Sequence, residues 1–459
     1  MISKLAMPDS PATWIKNPLA IWTGSEADAR GGIVVCDGQI SEVLAQGQKP
    51  SGPVAQTFDA SEHVILPGLI NTHHHFYQTL TRAYPTALNK ALFPWLKSLY
   101  VVWAKLTPEM LSVATELALT ELLLSGCTTA ADHHYLFPDG LEHAIDIQAG
   151  VAQNIGMRMT LTRGSMSLGE DDGGLPPQTT VQTEADILAD SERLIKTWHE
   201  NKPGAMLQVA LAPCSPFSVT TELMQESAKM ADQYDVRLHT HLAETLDEEA
   251  FCLERFGLRT VDYLQSVGWL SGRTWLAHGI HFNEMEIRQL GEAGVGICHC
   301  PNSNMMLASG ICRTQELEAA GCPVGLGVDG SASNDHSNMI NEVRQAMYLQ
   351  RLHYGADTIR HTDAFRWATQ GSAKVLGRDD IGEISPGKRA DLALFKLDEL
   401  RFSGHHDALA ALLLGGANQA DRVMIEGQWK VIDGALPDVD LEDLKHRHQA
   451  AARLLASLM

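Results

Sequence analysis

His73 and His75 stand two residues apart at the end of the run Leu66-Pro67-Gly68-Leu69-Ile70-Asn71-Thr72-His73-His74-His75. Alternate residues of a strand point to one face, so the two imidazoles can grip a single metal ion. Three further apolar runs end in residues of the same kind: Val236 to His241 with Glu244 three further on, Trp275-Leu276-Ala277-His278, and Gly325-Leu326-Gly327-Val328-Asp329. Zinc catalysis uses three to four nitrogen and oxygen ligands and keeps one position for water, whose pKa falls from about 15.7 to about 7. His73, His75, His241 and Asp329 supply that set, and metal-assisted hydrolysis is the chemistry it points to.

His239 and His241 share one strand face, so strand geometry alone does not choose between them. His241 is preferred because it lies nearer the strand end, which also lets Glu244 lean over the metal as a proton shuttle. Asp247, Glu248 and Glu249 then read as a solvated helix start. His278 would sit across from the ligands, where an imidazole can orient water or hold an oxyanion. His74 faces the opposite way and reads as structural, Asp335 as a helix-start acid, and His133-His134 as either packing or substrate contact.

These residues need elements to position them. Eight strand-like runs follow one another: 65–71, 128–132, 158–162, 207–212, 237–242, 274–277, 295–298 and 324–328. Amphipathic stretches such as 109–124, 183–200, 221–233 and 284–291 alternate with them, which is the pattern of an α/β chain folded as a (β/α)8 TIM-like barrel. Its chemistry sits at the carboxyl ends of the strands, where His73, His75, His241, His278 and Asp329 fall. Short strands before residue 67, with Asp37-Gly38 as a hairpin signal, and again after 377 imply a small flanking β-sandwich built from both ends of the chain. The expected organisation is 1–66 for the N-terminal part of the sandwich, 67–377 for the barrel, and 378–459 for the C-terminal part with a terminal helix.

The chain has 459 residues, enough for more than one core, and 35 basic against 56 acidic residues give a formal charge of -21. Such a charge repels nucleic acid and anionic membranes and leaves a small neutral or cationic substrate as the natural partner. Eight cysteines in no small-domain framework read as free thiols of a reducing compartment. Cys298-His299-Cys300 lacks a second cysteine pair and reads as buried strand rather than metal clip. Residues 1–24, with Asp9, Pro11 and Pro18, carry no signal core or membrane span, so a cytoplasmic enzyme is expected.

Taken in order, Pro67-Gly68 before His73-x-His75, His241-Leu242-Ala243-Glu244, Ala277-His278-Gly279, Cys300-Pro301-Asn302-Ser303-Asn304, Val328-Asp329 and Gly387-Lys388-Arg389-Ala390-Asp391 resemble the amidohydrolase superfamily, in its mononuclear branch of nucleobase deaminases. The resemblance spans nearly the whole chain. It implies a barrel with a flanking β-sandwich, one divalent metal, zinc or sometimes iron, a homo-oligomer, and hydrolytic loss of ammonia from an amino-heterocycle. One metal is implied because the fourth run ends Leu211-Ala212-Pro213-Cys214-Ser215-Pro216, without the lysine or acid that bridges two metals in relatives. The His-x-Glu and Pro-Cys-x-x-Cys signature of the cytidine-deaminase fold is absent.

Within the branch, Gln78 lies where guanine-type deaminases place a glutamine that reads the purine edge, so it is the expected substrate contact together with His278. Pro213-Cys214-Ser215-Pro216-Phe217 lacks the arginine of the guanine-deaminase run. That departure makes the chain look more like the 8-oxoguanine deaminases, which convert 8-oxoguanine to urate, than like those of guanine, isocytosine, hydroxytriazines or S-adenosylhomocysteine-type nucleosides. Glu244, His278 and Asp329 are then the expected catalytic residues, with 92–95, Tyr100 and Trp103 as an aromatic cover. A barrel that has lost catalysis is the alternative of a different class.

Overall fold

The computed structural model describes residues 12–459, so Asp9 and Pro11 of the N-terminal reading lie outside the described residues. Eight parallel strands close into a barrel: Leu69–Asn71, Cys127–His134, Arg158–Ser165, Leu207–Pro213, Leu238–Leu242, Thr274–His278, Gly296–His299 and Val324–Leu326. Leu326 pairs back onto Asn71 and closes the ring. Helices alternate with these strands on the outside, as the amphipathic stretches required.

Two sheets flank the barrel. One takes Thr13–Lys16, Gly32–Cys36, Gln39–Leu44 and Gln56–Asp59, the other Ala20–Ile21, His63–Pro67, Leu392–Lys396, Arg422–Ile425 and Gln428–Val431. Ile15, Ile33, Val35 and Ile40 of the first share a buried core with Ile65, Leu392, Leu394 and Met424 of the second, which makes the pair a sandwich. Asp37-Gly38 turns the hairpin between Gly32–Cys36 and Gln39–Leu44, with φ of 50° and 73°.

The first apolar run, read as one strand over 65–71, is divided between the two bodies. His63–Pro67 pairs antiparallel with Leu392–Lys396 in the sandwich, and only Leu69–Asn71 belongs to the barrel. Pro67 has no amide to give a ladder. Gly68 passes so close to the second barrel strand that a Cβ would lie 2.1 Å from Thr128 Oγ1, while its amide donates to Asp391 O at 2.8 Å. Asp391 also takes both arms of the buried Arg158 guanidinium, at 3.1 and 3.2 Å, so the Gly387 to Asp391 motif bolts sandwich to barrel.

The terminal helix Leu441–Ser457 lies against the helix Pro108–Leu124, tied by Arg447 to Glu116. Its His448 Nε2 meets Thr79 Oγ1 at 3.1 Å, just behind Gln78. Among the described residues no helix is long and apolar enough to cross a membrane.

Candidate metal centre and catalytic cavity

Each of three histidines has its Nδ1 committed behind the site. His75 Nδ1 donates to His133 O at 2.7 Å, and His241 Nδ1 to Cys214 O at 2.7 Å. His73 Nδ1 meets His239 Nε2 at 2.8 Å, and His239 Nδ1 donates to Trp275 O at 2.9 Å, so the proton between the two rings belongs to His73. Every Nε2 of the three is therefore a bare lone pair. His75 and His241 bring theirs within 3.3 Å of each other, and His73 and His75 bring theirs to 3.3 and 3.4 Å from Asp329 Oδ1.

Lone pairs turned on one another with no proton between them repel unless a cation sits among them. His73 Nε2 is fully buried with no hydrogen-bond partner, and the His73, His75 and Asp329 donor atoms lie within 4.8 Å of one another. The donor set fits a divalent ion. Burial holds His241 at about 3 and keeps His73 and His75 below the usual imidazole range, so all three are neutral, the form in which an imidazole can bind a metal. His133 belongs to a second trio with His73 and His241: its Nε2 donates to Ala212 O at 2.9 Å, its Nδ1 is buried without a partner among the described residues, and its ring stacks on His241 at 4.7 Å.

Asp329 stands two residues beyond the glycine at which the last strand leaves its ladder. Gly327 has no room for a side chain, since a Cβ would lie 2.9 Å from that of His73. Asp329 Oδ2 accepts from Ser303 Oγ at 2.6 Å, and its Oδ1 from Gly330 N at 2.7 Å. Three Cβ-bearing residues at the barrel mouth take left-handed backbone: Ala243 at φ 55°, His278 at 71° and Asp329 at 61°. Each costs about 1–2 kcal/mol, strain of the kind that gathers at functional sites.

Glu244 is buried, accepts from Ser309 Oγ at 3.2 Å, and lies 3.5 Å from His278 Nε2. Burial pushes its carboxyl up. His278 donates Nδ1–H to Asn304 Oδ1 at 3.0 Å, which turns Nε2 between Glu244 and, at 3.9 Å, Asp329. Burial works against a charge on His278, and the neighbouring Glu244 and Asp329 carboxylates outweigh it.

His75, His241, Glu244, His278 and Asp329 line one cavity. Leu92, Trp95, Leu96, Tyr100 and Phe217 wall it, while Gln78, Cys214 and Ser333 add polar groups. Gln78 reaches the cavity with its Oε1 accepting from Ala332 N at 3.3 Å. Trp95 Nε1 and Tyr100 Oη are buried without partners. Trp103 and Phe93 leave the expected cover, the first donating to Thr81 Oγ1 in the core and the second packing on Phe217 at 5.0 Å.

Several roles escaped the sequence. Ser303 and Asn304 hold Asp329 and His278, a job that the Pro301-Asn302-Ser303-Asn304 motif announces only by its polarity. Glu248, expected in solvent, is fully buried, its carboxyl accepting from Ala243 N at 3.0 Å and Glu244 N at 3.1 Å. Thr245-x-x-Glu248 has the spacing of a capping box, the one signal that could have found it. Asp335 starts no helix: Asn338 is the cap, and Asp335 accepts from Ala83 N at 2.7 Å. His74 is structural, bound to Ser337 Oγ at 2.8 Å, and His134 is tied to Leu136 O at 2.6 Å away from the cavity. Cys298 and Cys300 are buried free thiols with sulfurs 3.6 Å apart.

The amidohydrolase family profile matches residues 64–430. The chain belongs to the amidohydrolase family. It is 70% identical over 443 residues to an 8-oxoguanine deaminase of Pseudomonas aeruginosa, covering 96% of this chain and 99% of that protein. A hydroxydechloroatrazine ethylaminohydrolase of Pseudomonas sp. (strain ADP) is 35% identical, over 90% of this chain and 88% of that one. The crystal structure of an atrazine chlorohydrolase from Arthrobacter aurescens TC1, complexed with zinc, superposes with a TM-score of 0.89 at 31% identity, covering 96% of this chain and 100% of that one.

Proposed function

We propose that this amidohydrolase is a metal-dependent deaminase that hydrolyses 8-oxoguanine to urate and ammonia. The observation that carries the reaction class is the convergence of three unprotonated Nε2 atoms and one carboxylate beside a buried glutamate, in one aromatic-walled cavity. The choice of substrate rests on the 70% identical relative and on Cys214 at the cavity wall, where an arginine would leave less room.

His73, His75, His241 and Asp329 are the residues that would hold one zinc ion, the metal of the atrazine chlorohydrolase complex. When bound it supplies the Lewis acidity that makes water a nucleophile near neutral pH. Glu244, with its carboxyl pushed up, takes a proton from the attacking water and passes it to the ring nitrogen beside the amino-bearing carbon. His278 holds the new oxygen at that carbon and shares its second proton with Asp329. That second proton passes to the amino nitrogen as the C–N bond breaks, so ammonia leaves and the carbon returns to planarity. Gln78 offers its amide to one edge of the ring, and Trp95 Nε1–H and the Tyr100 hydroxyl serve the opposite polar edge.

Purified protein assayed for ammonia release tests the reading. The expected result is the highest kcat/KM on 8-oxoguanine among 8-oxoguanine, guanine, isocytosine, a hydroxytriazine and S-adenosylhomocysteine, with one zinc per chain. No release from any of them revives a binding-only barrel, and a different preferred ring overturns the substrate. Free thiols support a cytoplasmic location. The homo-oligomer implied by the family resemblance is checked by sedimentation.

A further inference from the structure

The Ala243-Glu244 peptide pair is gripped from two sides. Glu248, two residues into the helix Leu246–Phe256, accepts the Ala243 and Glu244 amides on its two carboxyl oxygens at 3.0 and 3.1 Å. From the opposite side, Ala243 O accepts from the amides of Ile280 and His281, each at 2.9 Å, in the loop that follows His278. Ala243 itself is left-handed at φ 55°, a conformation that a residue with a Cβ leaves readily unless its neighbours hold it. A fully buried carboxyl is costly to place, and among the described residues its hydrogen bonds are those from these two amides.

We infer that Glu248 is a positioning residue for the proton carrier Glu244: its carboxyl clamps the left-handed turn that aims Glu244 into the cavity and keeps that turn in register with His278. The clamp acts on proton transfer and not on substrate or metal affinity, because Glu248 neither lines the cavity nor touches His73, His75, His241 or Asp329. The inference rests on the reading of Glu244 given above.

Zinc-loaded Glu248→Ala and Glu248→Gln enzymes, compared with wild type and Glu244→Gln, test it. A misplacement of the acid by an ångström or so lowers turnover on the order of 100-fold. Glu248→Ala is therefore expected to lose about that much kcat on 8-oxoguanine, with KM and zinc per chain within about twofold of wild type. Glu248→Gln keeps the shape and one acceptor and is expected to fall only about 10-fold, a partial rescue that a purely structural role gives no reason for. If Glu248→Ala does not fold, Glu248→Gln decides alone. Wild-type kcat in the glutamine variant, or a loss matched by loss of zinc or an equal rise in KM, overturns the inference. A fully active Glu244→Gln overturns the reading of Glu244 itself, whereas an inactive Glu244→Gln beside wild-type-like Glu248 variants sinks only the clamp.

Discussion

Glu244→Gln keeps the size of the side chain and removes its capacity to carry a proton. Its kcat is expected to fall by about 10²- to 10⁴-fold with zinc content unchanged, read by ammonia release and metal analysis. Tyr100→Phe tests the opposite edge of the cavity. The free enzyme leaves that hydroxyl buried and unpaired, so its removal should leave the thermal midpoint unchanged or slightly higher while kcat/KM on 8-oxoguanine drops about tenfold. A variant that loses stability instead of turnover would make Tyr100 a core residue. The candidate ligands His73, His75, His241 and Asp329 stand out in the sequence as polar residues that follow or end apolar strand runs. Glu248, Ser303 and Asn304 do not, since their roles exist only after distant segments meet.

At the scale of elements, the terminal helix reports pH through His448. Burial, with Arg82 nearby, holds this imidazole at about 4, against 6.5 for an exposed one. Between those values the unfolded chain binds a proton that the folded chain refuses, so stability rises with pH through the window and is lost as pH falls from 6.5 towards 4. His448→Gln should lose about 2 kcal/mol less than wild type between pH 7 and pH 5, by urea unfolding at the two pH values. Equal losses would mean that the helix rides free of this contact. Strand positions in the barrel were legible from apolar runs of the right length. The division at Pro67-Gly68 was not, because seven consecutive apolar or small residues do not reveal that two different sheets share them. Only the approach of Thr128 and Asp391 makes the break visible.

For the whole molecule, the four proposed donors follow the first, fifth and eighth strands, so a bound ion would be a cross-link through the barrel. Chelation should lower the thermal midpoint and zinc should restore it, by an amount that grows with free zinc as binding linkage requires. The same titration on His73→Ala should be nearly flat, and a midpoint insensitive to zinc in the wild type would remove the ion from the folded architecture. A formal charge of -21 meets a neutral substrate, so kcat/KM should change little with salt, unlike the steep dependence of a polyanion binder.

The sandwich joins strands from both ends of the chain: His63–Pro67 pairs with Ala20–Ile21 on one side and with Leu392–Lys396 on the other. On a ribosome that second strand is made hundreds of residues later, tens of seconds at about 5–20 residues per second. Until then the histidine-bearing segment has no anchor on one side. A truncated chain ending before residue 392 would hold all four proposed ligands yet leave His63–Pro67 unpaired on one edge, and it is expected to release no ammonia.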